Sequence, residues 1–486
     1  MQPSLKKNYI YRTLYEILIL ITPFITTPYI SRVLEADGVG IYSYSASFMS
    51  FFTMFAALGT AGYGTREIAQ HRDDPKKTSK LFWEIELLTI CTSAVCLIAW
   101  LTFSVVFRGY TPYLLALTPM LLGTMFDINW YFTGHEKILY TVLRNTFVKV
   151  LGIILLFTLV KKKDDLIIYI LINSVVSLLG SLSMWTYLPR MLKKVDFKEI
   201  RIWRHFKETL IYFIPTIATS IYTILDKTLI GMITHDSYQN GYYEQATKVV
   251  NIVKTLVFSS VNSVMGARQS YLFSYERYEE IKNKIHKSLD FILLLGYGCV
   301  FGIVGVAKQF VPFFFGSGYD EVVGLLYKMV PLIIIIGISN CLGNQYYTPS
   351  GQRARSAKVI VLGACINLVL NLVLIPSFKS QGAVIASIIS ELAITVLYVR
   401  MSDGYLTALD ILNASWRRII AGVVMCIAVI MLGRLQLNAK VGVAVQVVAG
   451  AAIYLGVLSA FKDIMLRDLF TQGKNVMTRI VKKVDE

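Results

Sequence analysis

Apolar runs of about 20 residues, each enough to cross the roughly 30 Å hydrocarbon core of a bilayer, recur from one end of the chain to the other. Bounded by charge or turn residues, they predict about fourteen membrane-spanning helices. These lie near residues 8–30, 39–61, 82–107, 112–133, 140–160, 166–188, 206–233, 242–266, 288–315, 325–347, 357–376, 382–399, 417–435 and 441–461. The fold class that follows is an all-α polytopic membrane protein. The first run follows Lys6 and Lys7 as a secretory signal would, but it is long and ends in Pro28-Tyr29-Ile30-Ser31-Arg32 without a small-residue cleavage site. It is therefore expected to stay as the first helix.

Polar groups are costly in hydrocarbon, so their alignment on one helical face is informative. At about 100° per residue, Glu244, Gln245, Lys248, Asn251, Thr255, Ser259 and Asn262 form one stripe of the eighth helix. Lys254 falls far round the helix from that stripe, where a helix-surface or snorkelling lysine is expected. The seventh helix gathers Tyr212, Pro215, Thr216, Thr219, Thr223 and Asp226 on one side with Lys227 at its edge, and the first gathers Arg12, Tyr15, Glu16, Pro23, Thr26 and Thr27. Pro215 frees a carbonyl one turn earlier, which is tolerated where water or a neighbour supplies a partner. Three wet faces predict one shared hydrated cavity. The alternative is local pairing: Arg12 with Glu16, four residues on, and Asp226 and Lys227 with other helices. Asp127, Arg144, Lys149, Lys308 and Glu391 are weaker candidates, because several have an interface within reach by snorkelling.

Composition agrees with the hydropathy. Hydrophobic residues make up 55% of the chain and charged residues 16%, against about 25% charged in an average soluble domain. The formal net charge of +17 would suit nucleic acid, but in a membrane protein it follows from Lys and Arg collecting in cytoplasmic loops. With the N-terminus inside, about 32 Lys and Arg fall in cytoplasmic loops and about 8 in outer ones, which favours an even number of spans with both termini cytoplasmic. The main exception is Lys161-Lys162-Lys163-Asp164-Asp165, which this topology puts outside. Two basic loops, 189–207 and 271–287, mix aromatic or aliphatic residues with charge and are long enough for helices along the cytoplasmic interface, or for a solvated charged face.

Chemistry is sparse. All six cysteines (Cys91, Cys96, Cys299, Cys341, Cys365 and Cys426) lie in apolar stretches without CxxC spacing. The five histidines are scattered, and no HExxH, GxSxG or Walker pattern occurs. No catalytic residue, metal site or cofactor is expected, and the chain reads as a transporter and not an enzyme. A faint repeat points the same way. Gly40-Ile41-Tyr42-Ser43-Tyr44-Ser45-Ala46 runs on to Gly64-Thr65-Arg66, as Gly241-Tyr242-Tyr243-Glu244-Gln245-Ala246 runs on to Gly266-Ala267-Arg268. Six helices separate the copies, so the repeat is parallel, a plan that puts substrate between the halves near the midplane.

The stretch Thr22-Pro23-Phe24-Ile25-Thr26-Thr27-Pro28-Tyr29-Ile30-Ser31-Arg32-Val33-Leu34, then Gly38-Val39-Gly40-Ile41-Tyr42 and Tyr63-Gly64-Thr65-Arg66-Glu67-Ile68-Ala69, resembles the polysaccharide flippases of the Wzx type. The likeness continues through Asn129-Trp130-Tyr131-Phe132-Thr133-Gly134-His135-Glu136, Leu225-Asp226-Lys227-Thr228-Leu229-Ile230-Gly231 and Asn240-Gly241-Tyr242-Tyr243-Glu244-Gln245-Ala246. It ends with Gly343-Asn344-Gln345-Tyr346, Asn367-Leu368-Val369-Leu370-Asn371 and Gln381-Gly382-Ala383, and so covers roughly the first 400 residues. Met265-Gly266-Ala267-Arg268 departs from it, since similar proteins tend to have proline before that arginine.

The resemblance implies the superfamily fold shared with lipid II flippases and MATE drug exporters: two six-helix lobes around a central cavity, with alternating access. The expected domains are 1–204 and 205–400 for the two lobes and 401–486 for two further helices and a basic cytoplasmic tail. It also implies an undecaprenyl-diphosphate-linked oligosaccharide as substrate, the lipid bilayer of a bacterial plasma membrane as setting, and a polysaccharide polymerase as downstream partner, with no nucleic acid. The expected substrate-binding residues are Arg12, Glu16, Arg32, Asp226, Lys227, Lys248, Asn251 and Arg268. Two rivals stay open: a MATE-type exporter of organic cations, which would favour carboxylates in its cavity, and a membrane-embedded polymerase or glycosyltransferase, which the short outer loops disfavour.

Overall fold

A computed structural model describes residues 5–435 and 438–471, and no strand occurs among them. Nine helical segments are long and apolar enough to cross a membrane among the described residues. Two of these each hold two of the predicted spans, joined at a kink instead of a loop. In α1 (Leu5–Ala57) the break is Glu35, at φ 56° and ψ 179°. In α13 (Arg353–Arg400) it is Lys379, at φ 51° and ψ −132°. Three helices supply the other predicted spans. They are α4 (Thr111–Met125), at 15 residues too short to cross alone, α8 (Phe206–Thr234) and α9 (Ser237–Ser274). The chain divides into two compact units, residues 1–241 and 242–486.

In the first unit α1, α4 and α8 are joined by α2 (Thr60–His71), α3 (Pro75–Val106), α5 (Asn129–Gly134), α6 (Ile138–Leu159) and α7 (Leu166–Trp185). Asp74 starts α3 as an N-cap, accepting from the amides of Lys76 and Lys77, with Pro75 at the first position where no amide hydrogen is missed. One apolar core joins Leu34, Trp100, Leu117, Leu121 and Ile170. A second joins Ile68, Phe82, Trp130, Tyr131, Phe132 and Met184, which makes the Asn129–Glu136 motif a packing element. Its partner is Gly64: a Cβ there would stand 2.4 Å from the Trp130 ring.

The two glycines that open the repeated motif meet. A Cβ on Gly40 would lie 1.8 Å from the Ser237 carbonyl oxygen, and one on Gly241 would lie 2.0 Å from that of Ala36. Backbones this close admit only hydrogen at both positions. The Ser237 hydroxyl donates to Asp37 beside the crossing.

The Lys161–Lys163 loop, the exception to the charge asymmetry, is absorbed locally. Lys163 Nζ lies 2.9 Å from Glu35 and 3.6 Å from Asp37, at the α1 kink and two residues after it. The amides of Lys161 and Lys162 donate to Asp165, and Tyr29 Oη donates to the Val160 carbonyl at 2.6 Å.

The loop 189–207 is not an interfacial helix. It forms 3-10 turns at Phe197–Glu199 and Ile202–His205 because α3 pins it: the amide of Lys193 donates to Ser79 Oγ at 2.9 Å, and that of Arg201 to Glu84 Oε1 at 3.0 Å. Glu84 is fully buried and also accepts from Arg204 and from His205 Nε2 at 3.0 Å. His205 Nδ1 lies 2.7 Å from the Tyr63 hydroxyl, and Arg204 Nε lies 3.1 Å from Nε2. Phe197 and Trp203 stay exposed. The second basic loop is likewise no separate helix, since α9 runs to Ser274 and α10 starts at Tyr278.

The second unit holds most of α9, then α10 (Tyr278–Phe315), α11 (Asp320–Met329), α12 (Pro331–Leu342), α13, α14 (Ala408–Leu432) and α15 (Ala439–Ala460). Gly343–Tyr347 form a five-residue π turn after α12, where Tyr346 donates to Asp403 and Tyr347 to the Tyr398 carbonyl. Asn371 Nδ2 donates to Asn367 Oδ1 at 3.0 Å, both fully buried. The last two helices are fastened to α10. Arg418, 3% exposed, lies 2.8 Å from Asp290 and 3.3 Å from Asp463, and Tyr454 donates to the Leu294 carbonyl.

Burial holds the His205 imidazole below its ordinary value, and its hydrogen bond to Glu84 offsets this only in part. Unfolded chains therefore take up the proton first as pH falls, and the stability from a neutral His205 is lost below about pH 6.5. Thermal unfolding midpoints of the purified protein should drop between pH 7.5 and 5.5, and by less in His205→Gln. For topology, single cysteines at Ser317 and Ser377, both exposed, in a cysteine-free background should react with impermeant thiol reagents on intact cells. Labelling only after permeabilisation would reverse the orientation.

Candidate functional site

A polar cavity of about 430 Å³ lies within the first unit, bounded by α1, the α4–α5 break, α6 and α7. Each wall follows from local sequence. Helix α4 stops at Met125, where Trp185 Nε1 donates to the Phe126 carbonyl at 2.9 Å, and Asp127 accepts from the amide of Asn129 as the chain restarts in α5. This break turns Asp127 and Asn129 into the cavity. On α7, Tyr169, Asn173, Ser177 and Ser181 recur every four residues and line one face. From α1 come Tyr15, Thr22 and Thr26, and Thr22 and Thr26 return their hydroxyl hydrogens to carbonyls one turn back.

The charges come from α6. Arg144, Asn145 and Lys149 face the cavity. Gly180 makes room for the guanidinium, since a Cβ there would be 3.0 Å from Arg144 Nη1. Arg144 Nε and Asn129 Oδ1 are both buried without a hydrogen-bond partner among the described residues. The arrangement offers donors and positive charge in a space that accepts a small polar guest or water.

The residues expected from the sequence fall in several places. Tyr15 and Thr26 of the first polar stripe line the cavity, whereas Arg32, Asp226 and Lys227 do not. Arg32 is exposed and folds back to the Pro28 carbonyl at 3.0 Å. Asp226 is buried and Lys227 half-buried on α8. In the second unit Lys248 is half-buried with its Nζ 3.5 Å from Glu244, one turn back, and Asn251 is exposed. Lys254 was expected on the helix surface or snorkelling. It is half-buried and within electrostatic reach of Glu391. The side chains of Arg12, Glu16 and Arg268 lie outside the described residues, as do those of Ser259 and Asn262.

Sequence reading ranked Arg144 and Lys149 low and passed over Asn129, Asn145, Asn173 and Ser177. The four-residue spacing on α7 was the available signal. Glu84 was also missed, because an isolated carboxylate near the start of a span gives no sign of the loop folded onto it.

The profile of the polysaccharide biosynthesis protein family matches residues 5–265, more than half of the chain. A protein assigned as an O-antigen transporter in Escherichia coli (strain K12) is 25% identical over 399 residues, covering 81% of this chain and 95% of that one. A protein of Haloferax volcanii assigned as the low-salt glycan biosynthesis flippase Agl15 is 26% identical over 245 residues, half of each chain. Among solved structures, the lipid II flippase MurJ in an inward closed conformation superposes with a TM-score of 0.77 at 14% identity, covering 95% of this chain and all of the other. At that identity the likeness speaks for the fold. A multi-pass transporter and not an enzyme, the chain belongs to the polysaccharide biosynthesis protein family.

Proposed function

We propose that this chain carries an undecaprenyl-diphosphate-linked oligosaccharide repeat unit from the cytoplasmic to the outer leaflet of a bacterial plasma membrane, for surface polysaccharide synthesis. The observation that carries the reading is the family match, supported by the relatives assigned as O-antigen and glycan flippases. The physics is consistent. An unaided diphosphate in hydrocarbon costs from several to more than 10 kcal/mol, and a hydrated path carrying Arg and Lys offsets that cost while the lipid tail stays in the bilayer.

In this proposal Arg32, Lys227, Lys248 and Arg268 hold the diphosphate in turn during alternating access, and Asp226 tunes them. Arg12, Glu16 and Asn251 complete the wet surface. The repeat supports residues 1–204 and 205–400 as two halves of an internal duplication, followed by 401–486. Both termini are cytoplasmic, and a polysaccharide polymerase takes up the delivered unit.

A deletion strain should accumulate lipid-linked repeat units and lose surface polymer, as read by glycan analysis. Complementation with Lys248→Ala should restore less than a tenth of the polymer at normal protein level, whereas Lys254→Ala should restore more. Equal rescue by Lys248→Ala and wild type would overturn the assignment of that lysine. The driving force is testable separately. An interior-negative potential favours outward movement of a dianion by about 2.3 kcal/mol per charge per 100 mV, so flipping in liposomes should accelerate under a potassium–valinomycin potential. A rate that ignores voltage and follows only a proton or sodium gradient would replace voltage by ion coupling.

A further inference from the structure

The cavity of the first unit contains two cations that its own acidic groups do not neutralise. Lys149 stands at the midpoint of the 22-residue α6, about 16 Å from either end at 1.5 Å per residue. Its four-carbon stem is too short to bring the ammonium group to an interface, so snorkelling does not account for it. Arg144 lies five residues earlier and faces the same cavity. Among the described residues neither has a carboxylate within ion-pair distance. Asp127, the acidic residue that lines the same cavity, acts on Arg144 only at longer range. It is already an acceptor for the amide of Asn129.

Lys149 is exposed and Arg144 half-buried with its Nε enclosed, and a cation at membrane depth without a counter-charge is costly. That cost is tolerated where water or a ligand supplies the missing negative charge. The cavity has room for one, since 430 Å³ falls within the roughly 300–1,000 Å³ of small-molecule sites. Its polar atoms also describe the guest. Arg144 Nε is a donor without an acceptor, which calls for an oxyanion, and a guanidinium suits phosphate or carboxylate oxygens in particular. Asn129 Oδ1 is an acceptor without a donor, which calls for a hydroxyl on the same guest. Asn145 and Ser177 line the space between.

We infer that the first unit contains an oxyanion-binding site in which Arg144 and Lys149 hold a phosphate or carboxylate group, and Asn129 accepts a hydroxyl hydrogen from the same molecule. The site is separate from the residues assigned above to the diphosphate and does not depend on which glycan is carried. Its ligand comes from one of two sources: a soluble hydroxylated anion, such as hydrogen phosphate or a uronic acid, or an anionic lipid headgroup entering from the side.

The test uses the full-length protein in nanodiscs of phosphatidylcholine at constant ionic strength set with chloride. One arm titrates sodium phosphate and sodium glucuronate. The other replaces part of the lipid with phosphatidic acid. Thermal unfolding followed by tryptophan fluorescence reads binding in both. A midpoint that rises in the first arm assigns a soluble anion, and one that rises in the second alone assigns a headgroup. Either rise should be weakened about tenfold or more in apparent affinity by Arg144→Gln or Lys149→Met and by less in Arg144→Lys, which keeps the charge but loses the guanidinium fork. Wild-type protein that responds in neither arm overturns the inference, as does an unchanged response in both neutralising variants. If one variant fails to fold, the other decides. Complementation of the deletion strain is independent of both arms, so failure here leaves the transport reading standing.

Discussion

Charge in hydrocarbon must be paired, wetted or absent, and this constraint organises the molecule. Where the chain commits a charge to its interior it generally builds a partner. Arg418 is held by Asp290 and Asp463, so the last two helices are clasped to α10. Glu84 gathers an amide, a guanidinium and an imidazole from the loop before α8. Stripping either buried charge of its partners leaves it unmatched, a loss of about 3–5 kcal/mol. Arg144 stands out against that background, because its buried Nε has no hydrogen-bond partner among the described residues.

Much of the helix layout was legible because a span must hold its hydrophobic length whatever surrounds it. Thirty ångströms of hydrocarbon write themselves into roughly twenty apolar residues. The kinks at Glu35 and Lys379 were not legible. Neither position carries the glycine, asparagine or proline that marks a turn, and the left-handed backbone there is imposed from outside. Such conformations cost about 1–3 kcal/mol each, more than the exposed Lys163–Glu35 pair returns at under about 1 kcal/mol. The packing of the flanking helices therefore fixes the bend. The loop 189–207 was misread for a related reason: its amphipathic composition suits a membrane surface, and the hydrogen bonds that hold it come from Ser79 and Glu84, more than a hundred residues away.

The candidate site was legible in part. The stripe on α1 brought Tyr15 and Thr26 to the cavity, but α6 and α7 contribute residues that look ordinary one helix at a time. Asn173, Ser177 and Ser181 are small, and single hydroxyls in a span usually satisfy themselves on the preceding turn. Only the break between α4 and α5, which admits Asp127 and Asn129, turns these scattered groups into one lining. The repeat, by contrast, gains a physical reason. Its opening glycines are kept bare because Gly40 and Gly241 lie against backbone carbonyls.

The one-residue joints at Glu35 and Lys379 bear on how such a gene can change. A loop of ordinary length takes up an inserted or deleted codon as slack. Here no slack exists: one added residue turns the following helix by about 100°, carrying its buried face toward lipid and its lipid face inward. Length polymorphism is thus closed at both joints and open in the exposed connection between α3 and α4 at Gly109. Across descendants of this chain, indels should gather in that connection, while the two joints drift only by substitution and serve as fixed rulers for aligning distant copies.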